Sequence, residues 1–127
     1  MIVGGYMQDL RISSLSDEER RAIINIARAL SYFARERAYG YIDRIANSFS
    51  QATLRHVISE ALRSLKSERD REAEGSEHRI FMPTANDVEI FLKLAEKDLS
   101  VAKIVASLAI AYSWSAREAG EEVKQAG

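Results

Sequence analysis

The chain contains no cysteine among its 127 residues. That excludes a disulfide-stapled scaffold and fits a reducing compartment. Proline occurs once, at Pro83, and glycine six times, at positions 4, 5, 40, 75, 120 and 127. So little of both excludes a collagen-like or low-complexity chain, and each of them falls at the edge of a periodic segment. No long apolar run is present. The longest, Val101 to Tyr112, holds Lys103 and falls far short of the roughly 20 residues that cross a bilayer. The opening stretch MIVGGYMQDLRISSLSDEER has neither the basic nor the apolar region of a secretory signal, so a cytoplasmic protein is expected. Neither sign of charge is in surplus, with 18 Lys+Arg against 19 Asp+Glu. A net charge of -1 excludes a globally basic nucleic-acid binder but leaves room for a basic face.

What is present describes one ordinary globular domain. The chain is 46% apolar and 29% charged, enough for a core without staples. Arg outnumbers Lys by 13 to 5, with frequent Ile, Ala and Glu, a composition that suits a thermophile.

Hydrophobic periodicity predicts an all-α fold, a single helical domain over residues 1–127, with at most one short strand or hairpin near 79–82. Ser16-Asp17-Glu18-Glu19 reads as a capping box. Ile23, Ile26, Ala27, Leu30, Phe33 and Ala34 then form one apolar stripe, predicting a helix over 17–38 with Gly40 as its stop. A short helix is expected over 41–47. A third, capped by Ser50, is expected over 51–66 and carries Leu54, Val57, Ile58, Ala61, Leu62 and Leu65. Residues 67–79, SERDREAEGSEHR, alternate in charge and read as a solvated linker or exposed loop.

A second capping box, Thr84-Ala85-Asn86-Asp87, follows Pro83 and opens the longest segment, 85–118, stopped by Gly120. Val88, Phe91, Ala95, Leu99, Ala102, Ala106, Ala109, Ser113 and Ala116 recur at three and four residues, a heptad-like seam. Its small C-terminal half, Leu99, Ala102, Ala106, Ala109 and Ser113, suits close approach by another helix and is a candidate seam for an oligomer or partner. Unbroken, this helix would be roughly 50 Å long, against a radius of gyration of about 14 Å for a compact domain of this size. Either it breaks, with Lys97 to Ser100 the favoured place, or the molecule is elongated and hides the helix against a partner.

Catalytic chemistry finds little support. His56 and Glu60 lie four apart and read as an exposed helical pair, and no further Glu-x-x-His completes a metal set. Arg71 and His78 bracket six residues, as in the Arg-x(4–6)-His pattern of helical HEPN ribonucleases, but they span Gly75 in a polar run. Glu118, Glu121 and Glu122 read as solvated surface. Gly4-Gly5 lacks the residues of a phosphate loop. No catalytic residue, metal or cofactor is expected.

The informative feature is electrostatic. Residues 20–66 carry nine basic and three acidic residues, and the flanking 1–19 and 67–100 are both net acidic. On the first helix Arg21, Asn25, Arg28, Tyr32, Arg35 and Tyr39 are spaced by 4, 3, 4, 3 and 4. At about 100° per residue, all six fall within roughly 40° of one line, opposite the apolar stripe. Guanidiniums grip phosphates bidentately, and aromatic rings stack on unpaired bases. Arg21, Arg28, Tyr32, Arg35, Tyr39 and Arg44 are therefore candidate nucleic-acid-binding residues, with Arg55, Arg63 and Lys66 as possible extensions of the patch. The alternative is a solvated face whose arginines pair with acids such as Glu36 or Asp43.

Two stretches carry a resemblance. YGYIDRIANSFS (39–50), and the block from MPTANDV (82–88) through FLKLAEKDLSVAKIVASLAIAYS (91–113), resemble the small subunit of archaeal type I-A CRISPR interference complexes. The shared layout is a helical front half, a variable charged middle, and a Pro-Thr-x-x-Asp start to an Ala-rich helix. The resemblance implies a non-catalytic, mostly helical subunit that helps hold the crRNA–target hybrid or the displaced DNA strand. Its partners would be the other subunits of the complex, crRNA and target DNA, with self-association through the long helix a further option and no membrane. The family's small β-rich part could come here only from residues 79–82. The alternative from the residues themselves is a helical adaptor or homodimer that does not bind nucleic acid.

Overall fold

Three of the helices start where a Ser or Thr side chain accepts from a first-turn amide. A computed structural model describes residues 14–72 and 80–126, with side chains over 14–72 and 80–115. Within them lie five α-helices and no strand, an all-α fold. These are α1 (Asp17–Arg35), α2 (Gly40–Ala46), α3 (Gln51–Asp70), α4 (Ala85–Lys97) and α5 (Val101–Ala126).

Both expected capping boxes form. The Ser16 hydroxyl accepts from the Glu19 amide at 3.1 Å while the Glu19 carboxylate accepts from the Ser16 amide at 2.9 Å. Thr84 and Asp87 make the same reciprocal pair at 3.0 and 3.1 Å. Ser50 caps α3 through the Thr53 amide.

α1 ends three residues earlier than its pattern suggests, and Gly40 is not its stop. The Ala38 amide donates to the Phe33 carbonyl and the Arg37 amide to Ala34, which is a Schellman closure. Its left-handed position is held by Arg37, at φ 58°, where glycine would be the unstrained choice. Gly40 instead begins α2. α3 runs to Asp70 rather than 66, so the first residues of the charged stretch are helical, with Glu68 and Arg71 paired one turn apart at its end. Residues 73–79, most of the expected linker, lie outside the described residues. Ile80 to Met82 form extended chain without strand pairing. Ile80 is buried, and Phe81 and Met82 pack against the core.

The long C-terminal segment is two helices. α4 stops at Lys97, and Asp98 turns extended (φ -149°, ψ 101°). The Asp98 carboxylate accepts from the Ser100 amide at 3.0 Å and the Ser100 hydroxyl at 2.7 Å. A short side chain that satisfies nearby backbone offers the chain an alternative to helix. The break lets α4 and α5 both pack on α1, which is the centre of the bundle. α2 packs on α5 and α3, and α3 also packs on α4.

The core is built from the expected stripes. Ile23, Ile26, Leu30, Phe33, Leu54, Ile58, Leu65, Phe91 and Leu92 are buried within it. Ala102, Ala106, Ala109 and Ser113 are buried there too, and Leu99 is half-buried. Their small side chains permit the close approach of α1 and α2 in the same chain, so this seam faces inward within the chain. α5 keeps an exposed side, carrying Lys103, Ser107, Ala111 and Trp114. No helix among the described residues is long and apolar enough to cross a membrane.

Candidate nucleic-acid interface

The α1 ladder divides into an outward strip and a covered edge. Arg21 and Arg28 are exposed and Arg35 is half-buried. Ile24, 41% exposed, lies in the same strip. Asn25 belongs to the covered edge, where its amide nitrogen donates to the Asp87 carboxylate at 3.1 Å. Asp87 is buried and also closes the α4 capping box, so one carboxylate both starts α4 and ties it to α1. The Pro-Thr-x-x-Asp pattern thus acts as a structural clasp.

Arg28 lies beside this clasp, its guanidinium carbon 4.2 Å from the centroid of the Phe81 ring. A guanidinium over a ring face gains electrostatic attraction while its edge stays free to donate. Tyr32 and Tyr39 are half-buried and pack on the core, Tyr32 edge-on to Phe33 with centroids 5.7 Å apart. The strip therefore offers more guanidinium and less ring than the spacing implies.

Arg44 sits elsewhere, at the junction of α2 and α3. It approaches Glu60 at 3.5 Å and lies 5.9 Å from the Tyr41 ring centroid. The same Glu60 oxygen meets His56 Nε2 at 2.6 Å, which confirms the His56–Glu60 pair as a surface contact. Arg55 pairs with Glu89 at 3.2 Å. Arg63 and Lys66 are exposed, and neither has an ion-pair partner among the described residues. Positive charge thus outnumbers its local acids on α1 to α3.

Periodicity overlooked Tyr41. It is half-buried between two clefts, its ring 5.0 Å from that of Phe33. One cleft, about 350 Å³, is lined by Phe33, Ala38, Gly40, Tyr41, Arg44 and Ser64. The other, about 340 Å³, is lined by Tyr41, Glu60, Arg63, Ser64, Ser67, Glu68 and Arg71. The available signal was Arg63, Ser67 and Arg71 at i, i+4 and i+8, which places them on one helix face once α3 extends past 66.

No group of three His, Cys, Asp or Glu that could hold a metal occurs among the described residues. Arg71 is ion-paired to Glu68. His78, and the side chains of Glu118, Glu121 and Glu122, lie outside the described residues.

Residues 29–84 match the family model described as CRISPR-associated protein (Cas_Csa5). The chain is thus similar to CRISPR-associated proteins over a stretch running from the middle of α1 to the cap of α4, less than half of its length. No curated protein and no solved structure matches it.

Proposed function

We propose that this chain is a non-catalytic small subunit of a type I-A, crRNA-guided antiviral interference complex, of archaeal and thermophilic type. Its basic helical surface helps hold the crRNA–target hybrid or the displaced single strand. One observation carries the reading: the stretch similar to CRISPR-associated proteins, 29–84, overlaps the basic region 20–66 over residues 29–66, where six basic residues stand against three acidic ones. Arg21, Arg28 and Arg35 on α1, with Arg44 on α2, neutralise phosphates and fix register without reading sequence. Tyr32 and Tyr39 lend rigid edges. Partner subunits cover apolar surface such as Phe49, 83% exposed, and Trp114, 59% exposed. Unwinding and cutting belong to other proteins of the complex.

Those two exposed rings also favour a second reading, a helical adaptor that binds only protein. Fluorescence anisotropy of a labelled single-stranded oligonucleotide, titrated at about 50 and 200 mM salt, separates the two, because only phosphate neutralisation gives a steep salt slope. Salt-sensitive binding is expected. Absence of binding at the lower salt would favour the adaptor.

A further inference from the structure

We propose that the paired clefts flanking Tyr41 form a subsite for one unpaired nucleotide, with the base beside Tyr41 and the phosphate at Arg63. This deepens the nucleic-acid reading above and rests on it, but it places a specific contact on α2 and α3, away from the α1 strip.

The two clefts differ in chemistry and share Tyr41 and Ser64. The first is walled by Phe33, Ala38, Gly40 and the Tyr41 ring, an apolar slot. A Cβ built on Gly40 would meet nothing within 4 Å, so space is left open there. The second cleft is polar, with Arg63, Ser64, Ser67 and Arg71 along one face of α3. A ligand that fills both has a flat apolar body joined to an anionic group, which describes a nucleotide. Each volume, about 340 and 350 Å³, lies at the lower end of ordinary small-ligand sites.

The parts are already positioned. Phe33 holds the Tyr41 ring at a 49° tilt, so stacking on it costs little side-chain freedom. Arg44 and Arg71 are tied to Glu60 and Glu68, which line the polar cleft. Arg63 is the guanidinium there with no ion-pair partner among the described residues. A phosphate would find it uncompensated, and the serine hydroxyls add donors.

The test compares two labelled oligonucleotides of equal length with the full chain, one bearing thymine bases and one abasic throughout. Both carry the same phosphates, so the abasic strand reads charge alone and the difference reads the base slot. Stacking of a single base predicts that the base-bearing strand binds roughly 5- to 150-fold more tightly. Gly40→Leu fills the slot without removing a packed side chain and should abolish that difference while leaving abasic binding unchanged. Tyr41→Phe should retain it. Arg63→Glu should weaken both strands at least about fivefold. Equal binding of the two strands by the native chain, or a difference that survives Gly40→Leu, would overturn the subsite and leave the basic-surface reading standing. Failure of both strands to bind would overturn both.

Discussion

Replacing Ala109 by Leu tests where the small-residue seam spends its close approach. Ala109 is fully buried in the core that α5 forms with α1 and α2. Leucine adds three carbons where no side of the site opens to water. Forcing extra methylenes into such a core costs about 2 kcal/mol through displaced rotamers and backbone. For a domain of this length that loss lowers Tm by roughly 8 °C. Ala111, exposed on the same helix, is the control, and Ala111→Leu should stay within about 0.5 kcal/mol of the native chain. Urea unfolding followed by circular dichroism, repeated at two widely spaced protein concentrations, reads both variants. The Ala109→Leu loss should be independent of concentration, because the contact lies within one chain. A neutral Ala109→Leu, or a loss that shrinks as concentration rises, would refute the inward-facing seam and restore it as an interface between chains.

Further outcomes follow from the caps. Asp87→Ala removes the acceptor from both the Thr84 amide and the Asn25 side chain; a loss of about 2 kcal/mol in urea unfolding is expected, with Asn25→Ala in a double-mutant cycle showing coupling, and additive losses would break the clasp. Arg37→Gly relieves a left-handed residue at φ 58° and should gain about 1 kcal/mol; destabilisation would mean the Arg37 side chain holds something that glycine cannot.

Elements with a side-chain start signal were legible in the sequence. Ser16, Ser50 and Thr84 cap the helices that their positions announce, because a cap bond is local and needs no tertiary partner. Helix ends were less legible. Arg37 occupies a position that composition assigns to glycine, and the nearby Gly40 drew the expected stop three residues downstream of the place where the Schellman bonds form. Residues 67–70 are helical, with Glu68 and Arg71 paired at the helix end, whereas charge alternation alone suits a linker equally well.

The basic face was legible as an angular sector but not as a surface. Spacing shows that Asn25 and Arg28 share a line, but not that the 80–87 segment lies beside them, since Asp87 and Phe81 are far away in sequence. The break at Asp98 was legible as a place, and its cause, the bonds to Ser100, is again local. The Tyr41 clefts depend on how α2 and α3 meet, and no one-dimensional period encodes that.

The basic-surface claim is tested most directly by the salt dependence of oligonucleotide binding in Arg28→Glu with Arg35→Glu. If Arg21, Arg28, Arg35 and Arg44 each neutralise one phosphate, native affinity for a single strand should fall about 50-fold between roughly 50 and 200 mM salt. With two of the four removed, the fall over that range should shrink to about 7-fold, from an already weaker starting affinity, with helicity unchanged. Native-like affinity and slope in the double variant would show that this surface does not hold nucleic acid.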